Sequence, residues 1–238
     1  MRLFFALVIF IILSGCVNRG DELNQVKFTT DDGVVIYANF VESQEKNGKA
    51  VILLHMLRTD KSYWTVFSDE LNKNNYTTIA IDLRGHGKSV VKNGKEYRWQ
   101  DFTEDDFNKM VLDVKAAKLF LIERGYEPKN IAIIGASIGA NTAINYAATD
   151  EEIRSIALLS PGLDYRGVKT EKSMSIFDGN VFIASSKEDE PSYSSCLKLK
   201  DLGNSRKTVV FYENAGHGTW MFQKTDLAKK LLEWLNSL

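Results

Sequence analysis

Residues 130–146 have the sequence NIAIIGASIGANTAINY. An apolar run of strand type leads into a short glycine-rich turn and then into an alanine-rich segment with helical spacing. A lone GxSxG pattern is weak, but a serine at a tight strand-to-helix turn needs small neighbours because strand and helix approach closely there. The helix would also direct free backbone N–H groups towards a negative charge at Ser137. The small neighbours of Ser137 are Gly135, Ala136, Gly139 and Ala140.

The same alternation of strand and helix runs through most of the chain. Continuous apolar runs are typical of strands covered on both faces, as in a parallel sheet, and they are AVILLH, TTIAIDL, IAIIGA, SIALLS, VFIAS and TVVFYE. Before them, VKFTT and VVIYANFVE flank DDG, which predicts an antiparallel hairpin. We therefore predict an α/β fold with a doubly wound, mostly parallel sheet of about eight strands.

Two helices are predicted by the spacing of their apolar residues, and one of them also by the residues at its ends. Thr103 and Asp106 form a capping-box pattern, and Gly125 is a typical stop, so one helix is expected between residues 103 and 125. From Thr225 onward a leucine-rich stripe predicts a terminal helix packed on the sheet.

Composition excludes some classes of partner. The chain has 238 residues, with 30 basic and 31 acidic side chains and no long run of either sign. A chain of this length forms one core. Since there is no positive field to attract a phosphate backbone, nucleic acid is not an expected partner.

The first residues have the features of an export signal. Residues 1–16, MRLFFALVIFIILSGC, carry one arginine and an apolar run too short to span a bilayer. Residues 13–16 resemble the lipobox of bacterial lipoproteins, in which the signal is cut before a cysteine that receives the lipid. The resemblance implies lipidation at Cys16 and an exported protein anchored to the bacterial cell envelope. An ordinary secretory signal with a chance cysteine is the alternative.

This interpretation divides the chain into three parts. Residues 1–15 are the signal peptide, 16–25 a polar tether and 26–238 the folded domain. Because Cys16 and Cys196 are the two cysteines, lipidation of the first leaves no internal disulfide. Cys196 is expected to be a small buried apolar residue.

The order of residues along the chain singles out one histidine. His217 follows both Ser137 and several acidic residues, as the chain order serine, acid, histidine requires. It lies in AGHG, between the last strand and the last helix. His55 and His86 end or follow earlier strands and are expected to brace turns beside the site.

Together, LLH, DLRGHGKS, GASIGA, SKEDEP and AGHG, in that order, resemble the α/β-hydrolase superfamily from about residue 26 to the C-terminus. The resemblance implies Ser137 as the nucleophile, His217 as the base and Asp189 as the acid. Asp164 is the rival acid, because some members supply the carboxylate from the preceding strand. Glu188 and Glu190, which flank Asp189, are further rivals, and neither is expected to touch the imidazole if Asp189 is the acid. The alternative is that this acid-rich turn is only a solvated surface turn.

The resemblance also implies an oxyanion hole. Its donors would be the backbone N–H groups of Ile138 and Leu57. Members usually carry His-Gly where this chain has His55 and Met56, so Met56 takes a glycine position in that backbone segment.

The expected activity is hydrolysis of carboxylic esters through an acyl-enzyme, with no cofactor and no metal. Only residues 161–180 separate SIALLS from VFIAS, which leaves no room for a cap domain and favours small or short-acyl substrates. The same site could serve a thioesterase, a peptidase or a lysophospholipase. A lipid-anchored binding protein on a hydrolase scaffold is the non-catalytic alternative.

The resemblance of GHGKS to a phosphate-binding loop fails, because Asp82 stands where the first glycine is required.

Overall fold

Ten strands form one sheet at the centre of the computed structural model, which describes residues 24–45 and 48–238. The eight longer strands are β1 (Gln25–Thr29), β2 (Val34–Val41), β3 (Ala50–Leu54), β4 (Thr77–Ile81), β7 (Ile131–Ala136), β8 (Ser155–Leu159), β11 (Asn180–Ser186) and β12 (Arg206–Tyr212). The short ones are β5 (Val91–Lys92) and β6 (Lys95–Glu96), while β9 (Asp164–Tyr165) and β10 (Val168–Lys169) form a separate hairpin.

The strand order confirms a mostly parallel, doubly wound sheet. It is β12-β11-β8-β7-β3-β4-β2-β5-β6, with β1 paired to β2. The six strands from β12 to β4 are mutually parallel, and the antiparallel β1–β2 hairpin lies towards the other edge. The predicted eight strands are the longer ones. The two extra strands have two residues each, and so short a strand carries no periodic pattern.

Helices cover both faces of the sheet. They are α1 (Thr65–Lys73), α2 (Glu104–Asn108), α3 (Val111–Ile122), α4 (Ile138–Ala147), α5 (Glu171–Ile176), α6 (Ser192–Leu199) and α7 (Leu227–Asn236). One core contains residues of α1 and α7, and the other contains residues of α3, α4 and α6. Alternate residues of β3 point into the two cores, because side chains of a strand alternate between faces.

Two boundaries differ from the sequence predictions. The helix expected between residues 103 and 125 is broken into α2 and α3, although the predicted capping box of Thr103 and Asp106 is present. The break at Lys109 and Met110 places Phe107 of α2 against Phe102, while Asp113 of α3 contacts Arg84. Gln25, assigned to the tether, is the first residue of β1 and pairs with Asn39.

The register of the parallel strands decides where the site forms. Leu54 of β3 is opposite Gly135 of β7, and Ala136 is opposite Leu159 of β8. The residues that follow these strands therefore lie side by side at the carboxyl edge of the sheet, where ligands of such folds bind. Of the helices in the described part of the chain, none has both the length and the hydropathy that a bilayer crossing requires.

Candidate active site

Ser137 occupies a sharp turn between β7 and α4. Its backbone has φ 56° and ψ −123°, and its N–H donates to the Leu159 carbonyl at 2.8 Å. A methyl group at position 139 would lie 2.5 Å from the Leu54 carbonyl oxygen, and one at position 135 would overlap the Gly139 carbonyl. Both glycines are therefore required by the close approach of α4 to β3 and β7. The small neighbours in GASIGA hold the serine on a strained turn, which is typical of functional sites.

Two backbone N–H groups are free beside this turn. Ile138 is the first residue of α4, and Leu57 lies in a turn closed by a hydrogen bond from Thr59 N–H to the Met56 carbonyl. Neither group donates to another residue within the described segments. The two segments are adjacent, since a methyl group at Gly139 would lie 2.6 Å from the His55 carbonyl oxygen.

Met56 is buried and packs towards the segment after His217. A Cβ atom at Gly218 would lie 2.5 Å from the Met56 sulfur, and the Thr219 hydroxyl lies 3.9 Å from it. The Met56 side chain therefore fills the space beside the turn instead of leaving it open as glycine would. In the same turn, Arg58 has a left-handed backbone with φ 66°, which costs a residue other than glycine about 1 kcal/mol.

His217 contacts Asp189 directly. The His217 Nδ1 atom lies 2.9 Å from both carboxylate oxygens of Asp189. The two side chains follow β12 and β11, which pair in parallel, and are 27% and 11% exposed. The pair is therefore partly shielded, while the imidazole stays accessible from the edge of the sheet.

The histidine loop is also attached to the serine turn. Gly218 donates its N–H to the Ser160 hydroxyl at 2.9 Å, and a methyl group on Gly218 would lie 3.3 Å from Cβ of Ala136, the residue before Ser137. No hydrogen bond joins the Ser137 hydroxyl to His217 within the described residues. In enzymes without substrate this contact is often long.

The rival carboxylates have other partners. Asp164 accepts the Gly167 N–H at 2.7 Å inside the β9–β10 hairpin, and Glu190 accepts the Ser194 hydroxyl at 2.6 Å. Among the described carboxylates, that of Asp189 alone contacts the His217 ring.

Tyr165 and Ser192 lie beside the imidazole, and sequence reasoning missed both. The Tyr165 ring is edge-on to the His217 ring at 6.5 Å between centroids. Its hydroxyl is 2.7 Å from the Ser192 hydroxyl, which is 3.4 Å from His217 Nδ1. Tyr165 belongs to the insertion after β8, and no sequence pattern indicates where such an insertion folds.

The two other histidines brace turns, as expected. Burial lowers the pKa of His55 to about 4, so its neutral Nε2 accepts the Leu83 N–H at 3.0 Å and its Nδ1 donates to the Met56 carbonyl at 2.7 Å. Burial also lowers the pKa of His86 to about 3, and its ring stacks on Trp99.

The DLRGHGKS segment is fastened by buried ion pairs. The fully buried Arg84 guanidinium lies 2.8 Å from the buried Asp113 carboxylate and 2.9 Å from Asp32. Asp82 is likewise buried, with Lys61 at 2.8 Å. Removing one partner of such a pair is strongly destabilising, so the segment is a rigid support for the site.

The cysteines and the possible metal ligands can be described briefly. Cys196 is fully buried, and burial raises the pKa of its thiol to about 12, so it carries no reactive thiolate. Cys16 lies outside the described residues. Within residues 24–45 and 48–238, no three histidine, cysteine or acidic side chains group as metal ligands.

Comparison with known families agrees with the fold and the motifs. The family model described as serine aminopeptidase S33 matches residues 45–191. The chain belongs to this family, and with it to the α/β-hydrolase superfamily that its motifs resemble.

Curated relatives match part of the chain. The thiohydrolase aneE of Aspergillus aculeatus is 27% identical over 146 residues, which are 60% of this chain and 43% of that protein. The AB hydrolase superfamily protein YisY of Bacillus subtilis is 29% identical over 116 residues, 48% of this chain and 38% of the relative. The match thus spans about two fifths of the length of these relatives.

Solved structures share the fold along most of the chain. The esterase Pf2001 of Pyrococcus furiosus has a TM-score of 0.71 at 20% identity, over 90% of this chain and 91% of the other. The acetyl xylan esterase of Paenibacillus sp. R4 has a TM-score of 0.73 at 16% identity, over 90% and 83%. At these identities the likeness concerns the fold.

Proposed function

We propose that this hydrolase cleaves carboxylic esters through Ser137, His217 and Asp189. The observation that supports this most directly is the 2.9 Å contact of His217 Nδ1 with Asp189, on a loop that packs against the Ser137 turn. An imidazole held through Nδ1 presents Nε2 for proton transfer, which is the geometry that a nucleophilic serine needs. Family membership and structural neighbours that are esterases support the same class of reaction.

The proposed reaction has two steps, acylation and deacylation, which use the same oxyanion hole. His217 Nε2 accepts the Ser137 proton while Oγ attacks the ester carbonyl, and the N–H groups of Ile138 and Leu57 stabilise the negative oxygen. Collapse breaks the bond to the alcohol, which leaves with the proton from His217. Water then gives a proton to His217 and attacks the acyl-enzyme. Collapse of this second oxyanion breaks the acyl bond to Ser137 Oγ, which takes the proton back from His217, and the carboxylic acid is released. The residues supply every proton transfer, and the scheme uses no cofactor and no metal.

A short, well-anchored insertion limits the substrate. Residues 160–179, between β8 and β11, contain only the β9–β10 hairpin and α5. The hairpin is fastened to α4, because the Asn141 side chain donates to the Val168 carbonyl at 2.7 Å and accepts the Gly162 N–H at 3.0 Å. Without a long apolar cap to cover an acyl chain, small or short-acyl esters are the proposed substrates.

Purified protein is expected to hydrolyse the p-nitrophenyl esters from acetate to hexanoate with a kcat/KM at least about tenfold higher than that for the palmitate ester, since the described part of the chain has no cap domain to cover a long acyl chain. Lipid vesicles should not activate it. Parallel assays with an acyl thioester and an aminoacyl amide test the alternatives suggested by the thiohydrolase relative and by the family description. An optimum at long chains would contradict the substrate proposal, and absence of turnover with every substrate would favour a binding protein.

We also propose that the protein is exported and held at the bacterial cell envelope by lipid on Cys16. The proposal rests on the apolar run of residues 3–13 and the lipobox-like LSGC that ends at Cys16. Several acyl chains on one residue would anchor stably, because each buried CH₂ contributes about 0.8 kcal/mol.

In cells that express the full chain, Cys16→Ser is expected to abolish incorporation of labelled palmitate and to move the protein from the membrane fraction to the soluble fraction or an uncut form. Cys196→Ser is the matched control and should remain lipidated, because its thiol is buried in the domain. Lipid on the Cys16→Ser protein would disprove the anchor.

A further inference from the structure

Glu188 is exposed to solvent, and its carboxylate nevertheless holds the loop that precedes His217. One carboxylate oxygen accepts the Asn214 N–H at 2.7 Å, and the other accepts the Gly216 N–H at 3.0 Å. Between them, the Ala215 N–H donates to the Ser186 hydroxyl at 2.9 Å. Ser186 in turn donates to Glu188 at 2.6 Å. Three successive backbone N–H groups therefore have partners in two side chains, Ser186 at the end of β11 and Glu188 two residues after it.

The loop is shaped to receive an anion. Asn214 has φ 52° and Gly216 has φ 88°, so left-handed residues flank Ala215 and the N–H groups converge. Converging backbone N–H groups form a concavity that binds negative charge. The Glu188 carboxylate fills it, and the Ser186 hydroxyl, followed by the Gly216 and Asn214 N–H groups, lowers the pKa of Glu188 to about 2. Hydrogen bonds to an ionised group are stronger than those between neutral groups.

The position of this contact in the chain connects it to the proposed chemistry. Glu188 directly precedes Asp189, and Gly216 directly precedes His217. The Glu188–Gly216 hydrogen bond thus joins the two loops one residue away from the His217–Asp189 contact. On the C-terminal side of His217, the Gly218 N–H donates to the Ser160 hydroxyl. His217 lies between two fixed neighbours, which restricts the placement of its ring.

We infer that Glu188 is a positioning residue, which acts through the 214–216 loop to hold His217 against Asp189 and towards Ser137. The inference rests on the proposed function and adds a residue to it that does not touch the substrate. Misplacement of a reacting group by about 1 Å can cost about a hundredfold in rate, so a loop contact at this place has a kinetic effect.

Glu188→Gln tests the inference because it keeps size and shape. The amide group can face one backbone N–H with its oxygen but must face the other with its own N–H₂, so one of the two contacts is lost. With p-nitrophenyl acetate we expect kcat to fall by about ten- to a hundredfold, with KM changed less than about threefold. Glu190→Gln is the matched control: its carboxylate binds Ser194, so kcat should stay within about twofold.

Two further measurements separate positioning from a loss of folding. Hydrogen exchange of the backbone amides at 214–216 should accelerate in Glu188→Gln but not in Glu190→Gln, and Ser186→Ala should accelerate the Ala215 amide. In a His217→Ala background, Glu188→Gln should cause no further loss of kcat, because it acts through the imidazole.

The outcomes distinguish this inference from the proposed function. If the wild type is active and Glu188→Gln has the same kcat as Glu190→Gln, the inference is overturned and the proposed function stands. The same holds if Glu188→Gln loses activity only in proportion to its loss of folded protein. An additive loss in the His217→Ala background would also overturn it. A folded wild type that turns over no substrate would overturn the proposed function and, with it, the role of Glu188.

Discussion

Replacing Ser137 by alanine is expected to lower kcat for p-nitrophenyl acetate by about 10⁶, to the level left by the oxyanion donors and binding alone. The substitution removes the atom that forms the acyl-enzyme and leaves the turn unchanged. Within the described residues the Ser137 hydroxyl makes no hydrogen bond, so the melting temperature should change little. KM should stay close to that of the wild type.

A fluorophosphonate probe provides the matching covalent test. The wild type should gain one adduct on the peptide that contains Ser137, and Ser137→Ala should gain none. Ser194→Ala is the control, because its exposed hydroxyl binds Glu190 and lies outside the proposed mechanism. Normal turnover or labelling of Ser137→Ala would remove Ser137 from the reaction and point to another nucleophile.

Asp189→Asn is expected to lower kcat by about 10⁴ with the fold intact. The carboxylate accepts a hydrogen bond from His217 Nδ1–H and so keeps Nε2 unprotonated and free to act as a base. An asparagine amide that donates to Nδ1 would reverse this tautomer and put the proton on Nε2, where it blocks transfer from Ser137. Steady-state kinetics, together with circular dichroism as a check on folding, measure the effect.

Asp164→Asn serves as the comparison for the acid. Its carboxylate accepts the Gly167 N–H within its own hairpin, so kcat should change less than about threefold. A near-normal Asp189→Asn enzyme beside an inactive Asp164→Asn enzyme would transfer the acid role to Asp164.

Many elements of the fold could be predicted because they depend on local sequence. The continuous apolar runs of β3, β7 and β11 and the turn residues of the β1–β2 hairpin are patterns of neighbouring residues, and the structure confirms these strands. The prediction of a single helix between residues 103 and 125 was wrong. Tertiary contacts break the segment into two helices, because Phe107 packs on Phe102 while Asp113 pairs with Arg84.

The candidate site was predictable only in part. GASIGA and AGHG mark Ser137 and His217 because strained, glycine-rich turns need particular residue types. Tyr165, Ser160 and Glu188 gave no comparable signal. Serine, tyrosine and glutamate occur throughout loops, and their roles here depend on which backbone groups the fold brings within hydrogen-bond distance.

The sequence by itself determined the α/β class, the serine turn with its required glycines and the candidate histidine, since periodicity, turn chemistry and chain order are properties of neighbouring residues. Only the tertiary structure decided which carboxylate meets the imidazole and what holds the histidine loop. Asp189 and Glu188 are adjacent in the chain, yet one contacts His217 and the other the backbone at 214 and 216. That difference follows from the parallel pairing of β11 with β12, which brings two loops together from separate parts of the chain.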